Sequence, residues 1–331
     1  MADKIAEKLG RTVVAVPPVA WTRSLDLAEN QNRCLIGHIE AGGVSALLYG
    51  GNANLYHFDL GRFAALMDLL AEAPSAATDV IPSIGPDFGK LLDEATILRD
   101  RKFAGVMALP MTFPTHPEGI EKALRAAADR LGAPLILYVK REHYLAPARI
   151  GALVGDGVVS FVKYAVERSE PAGDSYLADI CSAIGSGNVA SGMGETPIHV
   201  HLPQYRLRTY TSGGVCIAPR AAMKLLAAHR GGDNEAAGHL AAPFLAFEKV
   251  RAAINGFSVM HDAVTLAGIA DMGPILPMAG NIPGDARERV QQAVDALVAL
   301  ERTCQKSRLV PTPTGRGSLP DERIRPCGPR H

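Results

Sequence analysis

The sequence predicts an α/β protein of the (β/α)8 TIM-barrel class with a C-terminal helical extension. Three observations lead there. Eight short apolar runs recur roughly 25–35 residues apart, the spacing of repeated strand–helix units. Between the runs, apolar residues switch to a helical period. All eight units fit within about 230 residues, against ~250 for a typical closed barrel.

The strand runs are Thr12–Val16, Val44–Leu48, Val80–Ile84, Phe103–Ala108, Pro134–Tyr138, Val158–Val162, Asn188–Ser191 and Gly213–Ile217. Asp59 is placed to cap a helix whose Phe63, Leu66, Met67 and Leu70 form one apolar stripe. Leu91, Leu92, Ala95 and Leu98 form a second stripe, and Ile120, Leu124, Ala127 and Leu131 a third. Tyr176, Leu177, Ile180, Cys181 and Ile184 form a fourth, which makes Cys181 a core thiol rather than a reactive one. A doubly wound open sheet is the alternative arrangement, and it needs a strand-order reversal that a sequence does not display. No GxGxxG follows the first strand and no GxxxxGK[ST] occurs, so that fold lacks its usual nucleotide signature. The barrel is assigned to residues 1–230. Residues 231–305 contain no strand run and break near Gly256 and between Gly273 and Gly284, which predicts three appended helices. From 306 to 331, "KSRLVPTPTGRGSLPDERIRPCGPRH" is rich in Pro, Gly and Arg and reads as a flexible or surface-hugging tail.

Composition narrows the function. Lys plus Arg equals Asp plus Glu at 34 each in 331 residues, so no global charge favours nucleic acid or an anionic membrane. No apolar stretch reaches a transmembrane length, and the charged start MADKIAEKLG lacks the apolar core of a signal peptide. Five cysteines are scattered without a CxxC pair, which speaks against a disulfide framework or a zinc site and for a reducing cytoplasm. "GETPIHVHLPQY" contains Glu195, His199 and His201, but His at i, i+2 is a poor helical ligand pair and no HEXXH-like context surrounds it. No metal and no other cofactor is expected.

One residue stands against its surroundings. "VVSFVKYAVERS" is a core strand by composition, yet Lys163 interrupts its end, and lysine is almost never fully buried unless paired. In a barrel, residues at the C-terminal strand ends face the active site. An amine desolvated by Phe161, Val162 and Tyr164 has a lowered pKa and supplies free base near neutrality, as a Schiff-base nucleophile requires. A strand-end lysine snorkelling to solvent fits the same pattern. On the preceding strand, "APLILYVK" ends with Tyr138, whose hydroxyl could shuttle protons during imine formation. Lys140 lies two residues on, and extended geometry puts it on the same face, where its charge could depress the pKa of Lys163 or bind a substrate carboxylate.

"LILY" followed about 25 residues later by "FVKYA" resembles the dihydrodipicolinate synthase/N-acetylneuraminate lyase family. Further likeness lies in "ALLYGGNANLYHFDLGRFAALM", "PSIGPDF", "LPMTFPTHPEGI" and "SGGVCIAP", in family order over roughly residues 10–300. The resemblance implies a class I aldolase or dehydratase in which a 2-keto acid, such as pyruvate or a 2-keto-3-deoxy sugar acid, condenses onto Lys163 with Tyr138 relaying protons. It puts Gly51 and Asn52 at the carboxylate-binding loop, and Gly192 and Cys216 at the substrate-binding positions of the last two strands. It also implies a homo-oligomer, tetramer or dimer.

The chain departs from the family's pattern in three places. The Gly-Thr/Ser-Thr-Gly-Glu signature is replaced by Gly50-Gly51-Asn52-Ala53-Asn54, which loses both hydroxyls and leaves Asn52 to donate through its amide. Thr112, in Pro110-Met111-Thr112, stands where the synthases carry a relay tyrosine. His143 falls near the position of the arginine that binds the synthases' second substrate. These departures argue against lysine biosynthesis. They also keep a second function in view, a keto-acid-binding or regulatory barrel without turnover.

Overall fold

The computed structural model describes residues 2–306, residue 112 excepted. Thr112 and the expected tail beyond Lys306 therefore lie outside the described residues. Eight strands follow chain order: β1 (Val14–Ala15), β2 (Ala46–Tyr49), β3 (Asp79–Ile84), β4 (Val106–Ala108), β5 (Leu135–Val139), β6 (Val159–Tyr164), β7 (Val189–Ser191) and β8 (Thr211–Ser212). Each pairs in parallel with its chain neighbour, apart from the β7–β8 edge, and β1 also pairs with β8, Val14 opposite Thr211 and Ala15 opposite Ser212. A parallel bridge between Ser191 and Tyr210 joins β7 to the approach of β8. With helices between successive strands and no order reversal, this is the (β/α)8 barrel and not the open sheet.

The helix stripes are buried as the periodicity predicts. Asp59 caps the helix Leu60–Glu72 by accepting from the Arg62 amide at 2.9 Å, and Phe63, Leu66, Met67 and Leu70 all lie in the core. Cys181 is half-buried against that core on the helix Ser175–Ile184, and burial pushes its thiol pKa up.

The eighth strand ends where the sequence predicts it to begin. Across the expected run Gly213–Ile217 the backbone makes a 3-10 turn, Gly214–Cys216, and the Val215 amide donates to Ser212 Oγ at 3.1 Å. Glycine allows close packing at this turn. A Cβ on Gly213 would stand 2.8 Å from Met260 Sδ, and one on Gly214 would stand 2.8 Å from the Phe244 ring. Both side chains come from the C-terminal helices, and the two glycines let them approach the turn.

β6 shows how strand alternation serves the site. Phe161 and Lys163 share one face of the strand, while Val162 and Tyr164 share the other. The Tyr164 hydroxyl donates to Asp174 Oδ2 at 2.7 Å, and Asp174 Oδ1 accepts from the Leu177 amide at 3.0 Å, capping the helix that follows. The outward face of the strand end is thereby tied down beside Lys163.

Three helices, Asn234–Ala253, Gly256–Leu266 and Arg287–Lys306, occupy the stretch past the barrel. No helix among the described residues is long and apolar enough to cross a membrane. The segment between the last two helices is laced to the first βα loop, where the Trp21 amide donates to Met272 O at 2.9 Å. Gly273 beside it has φ +67°, and a Cβ there would stand 2.0 Å from Trp21 O. Gly273→Ala is therefore expected to cost about 2–4 kcal/mol through the overlap and the left-handed backbone. A lowered urea midpoint checks this, and an unchanged midpoint would refute the close approach.

Candidate active site

Register brings the two central residues together. Tyr138 and Lys163 are direct partners in the β5–β6 ladder, and the Lys163 Nζ stands 4.1 Å from the centroid of the Tyr138 ring. Lys163 is 5% exposed and Tyr138 7%. Gly192 closes the third side: its amide donates to Tyr164 O at 2.6 Å. A Cβ there would stand 2.7 Å from that oxygen and 3.0 Å from Lys163 Cγ, so only glycine lets β7 pass so close to the lysine.

Lys163 makes no ion pair among the described residues. Burial, then the positive charges of Lys140 and Arg251, bring its pKa down to about 7 from 10.5. That corresponds to about 5 kcal/mol between the two protonation states. Near neutrality a large fraction of the amine is thus free base with its lone pair available. Tyr138 is affected in the opposite sense. Burial, then Tyr56 and Glu167, raise its pKa well above 10, so it keeps its proton.

These groups line a cavity of about 450 Å³ at the C-terminal ends of the strands. Gly51, Asn52 and Tyr56 follow β2, Lys140 follows β5, and Thr211 opens β8. The remaining wall comes from outside the barrel strands, with Glu248 and Arg251 near the end of one appended helix and Asn255 and Phe257 at the start of the next. Other cavities of about 540 and 720 Å³ lie elsewhere, one apolar around Leu91, Leu109 and Ile120, the other beside His38 and Arg220. Neither is lined by a buried amine.

Solved structures with the same architecture include a synthase, an aldolase and a prophage protein. Dihydrodipicolinate synthase from Bacillus clausii superposes with a TM-score of 0.78 at 17% identity, over 88% of this chain and 99% of its own. Sialic acid aldolase from Ruminococcus gnavus gives 0.78 at 12% identity, over 89% and 99%. A prophage protein of the dihydrodipicolinic acid synthase family from E. coli K12, in complex with pyruvate, gives 0.75 at 16%, over 86% and 98%. The chain shares their fold. No protein-family model and no curated protein matches the sequence.

The structure brings Lys163, Tyr138, Gly51, Asn52, Lys140 and Gly192 to one cavity. It does not bring Cys216 or His143 there. Cys216 is fully buried within the 3-10 turn after β8, where desolvation raises its thiol pKa. His143 is exposed in the loop after β5 at φ +56°, its ring 5.9 Å from that of Tyr176. His199 and His201 lie on the short helix Ile198–His201, where His201 Nδ1 pairs with Ser191 Oγ at 2.9 Å. No cluster of three metal-ligating side chains exists among the described residues.

Sequence reasoning missed Tyr56, Thr211, Glu248 and Arg251. The last two carried a signal, an i, i+3 acid–base pair in an otherwise Ala-rich helix, which sequence alone reads as a solvated face. Here the Arg251 Nη1 donates to Glu248 Oε1 at 2.7 Å, with both side chains less than a fifth exposed. Arg251 Nη2 also donates to Asn52 Oδ1 at 3.1 Å, and Asn52 Nδ2 donates to Val16 O at 2.8 Å.

Because Lys140 disfavours the charged form of Lys163, Lys140→Met is expected to raise the pKa of Lys163. Reactions of its free amine would then start at higher pH, the acid limb moving up by about half a unit. Rates of reductive trapping with a carbonyl compound, measured against pH, check this. A shift to lower pH, or none, would refute the coupling.

Proposed function

We propose that the chain is a divergent member of the dihydrodipicolinate synthase/N-acetylneuraminate lyase family. In this reading it is a Schiff-base-forming lyase, an aldolase or dehydratase, acting on a 2-keto acid such as pyruvate or a 2-keto-3-deoxy sugar acid. The carrying observation is the buried amine of Lys163, without a counter-charge, at the base of a cavity open at the strand ends. A lysine that served stability alone would gain from pairing. This one is held where its charged form is disfavoured.

The free amine attacks the ketone carbon, giving a carbinolamine. Loss of water then leaves a protonated imine, which draws electrons from the adjacent carbon–carbon or carbon–hydrogen bond. The hydroxyl that departs needs a proton, and Tyr138 is the cavity phenol beside Lys163 that holds one. As the iminium develops, its positive charge offsets the burial that raises the Tyr138 pKa, so the phenol can give up a proton and later regain it. Tyr56, whose charge is felt by Tyr138, is the nearest candidate to pass that proton onward. Lysine biosynthesis is not part of the proposal, since His143 stands exposed away from the cavity where the synthases use an arginine.

A keto-acid-binding barrel without turnover is the second reading. It is favoured by one observation: Asn52 replaces a hydroxyl, and its amide is engaged with Val16 O and Arg251. In either reading the protein works as a homo-oligomer, dimer or tetramer, in the cytoplasm and without nucleic acid or membrane partners.

Borohydride reduction with pyruvate, followed by intact mass, is expected to add one reduced pyruvate to the wild type and none at this site to Lys163→Ala. Tyr138→Phe should still trap the adduct, but ~10²–10⁴-fold more slowly. An undiminished adduct in Lys163→Ala would overturn the Schiff-base assignment. Pyruvate release or water loss across a panel of 2-keto-3-deoxy sugar acids separates a catalyst from a binder.

A further inference from the structure

We infer that Arg251 is the carboxylate-binding residue of this site, its guanidinium reaching from the C-terminal helices to receive the substrate's carboxylate beside Gly51 and Asn52. The inference rests on the 2-keto-acid reading above and concerns how that substrate is held.

The loop after β2 presents no hydroxyl at positions 51–54. Its one polar side chain lining the cavity, Asn52, is turned so that Nδ2 donates to Val16 O and Oδ1 accepts from Arg251. The loop therefore offers no cation of its own, but it fixes one at its edge. Gly213 is the point where the two meet. A Cβ there would stand 3.0 Å from Asn52 Nδ2 and 3.1 Å from Arg251 Nη1, so the glycine keeps this approach open.

Arg251 keeps donor capacity. Glu248 Oε1 takes one Nη1 hydrogen at 2.7 Å, while the contacts of Nε and Nη2 with Gly256 O are long, at 3.4 and 3.3 Å. A planar fork with an uncommitted Nη1 hydrogen and two weak bonds suits a carboxylate. At 14% side-chain exposure the guanidinium acts in a partly desolvated setting, where its attraction for an anion is stronger than in water. Lys140, the other cation on the wall, is exposed and more screened.

Of the two neighbouring acids, Glu248 pairs with Arg251 and offsets part of its charge, while Glu195 adds little. Glu195 is 1% exposed. Burial, then Glu248, push its pKa up to about 8, with Ser212 and Arg251 acting weakly the other way. Burial thus favours the neutral form of Glu195 beside Arg251.

The test compares pyruvate with methyl pyruvate, which keeps the ketone but lacks the charge. Each is trapped on Lys163 with borohydride over a concentration series and read by intact mass in wild type, Arg251→Gln and Arg251→Lys. A Glu248→Gln/Arg251→Gln double variant removes the whole ion pair, in case the lone Glu248 impairs folding. Arg251→Gln and the double variant are expected to raise the half-saturating pyruvate concentration roughly 10–100-fold, with Arg251→Lys intermediate. Methyl pyruvate should shift little. Any change in the Lys163 pKa acts on both compounds alike and leaves their ratio unmoved. Equal shifts for the two compounds, or no shift for either, would overturn the inference while leaving the Schiff base intact. No Lys163 adduct with either compound in wild type would instead refute the Schiff-base reading, and this inference with it.

Discussion

An amine leaves water most cheaply by finding a counter-charge or by giving up its proton, and the arrangement around Lys163 favours the second course, with a pKa brought down to about 7. The barrel supplies the burial: β5 and β7 flank the lysine, and Gly192 is trimmed to hydrogen so that the backbone can close in. The neighbours supply the sign, since the charges felt by the amine are both positive. With a carboxylate beside it, the same lysine would be a structural cation with a high pKa and little nucleophilicity. The lowered pKa therefore depends as much on the missing partner as on the residue itself.

Much of this was legible in the sequence because strand ends are local. A lysine closing a β-branched run, and a tyrosine closing the run before it, can be located by counting. Parallel pairing of consecutive strands then puts them side by side. Lys140 was readable for the same reason, lying just past a strand end, whereas Asn52 came from the family resemblance. Helix stripes such as Phe63–Leu70 also followed directly from period.

What escaped was set by contacts between distant segments. Gly213–Ile217 has the composition of a strand, yet Met260 and Phe244 fill the space beside Gly213 and Gly214 and the chain turns instead. Cys216 was carried away from the cavity with it. His143 turns out to solvent in a left-handed conformation that composition does not announce. Arg251 is the clearest case. Its helix is only weakly patterned, and nothing in the periodicity says that its last turn folds back over the barrel mouth.

The meeting of Arg251 with Asn52 bears on how far this molecule can be taken apart. Its architecture changes near residue 230, an inviting place to splice one barrel onto another protein's tail. A graft cut there would keep Lys163 and Tyr138 but discard one wall of the cavity. It would also strip Met260 and Phe244 from the turn after β8 and leave the Asn52 carbonyl without its donor. The seam between strands and added helices is therefore a poor boundary for recombination, because the cavity is built across it.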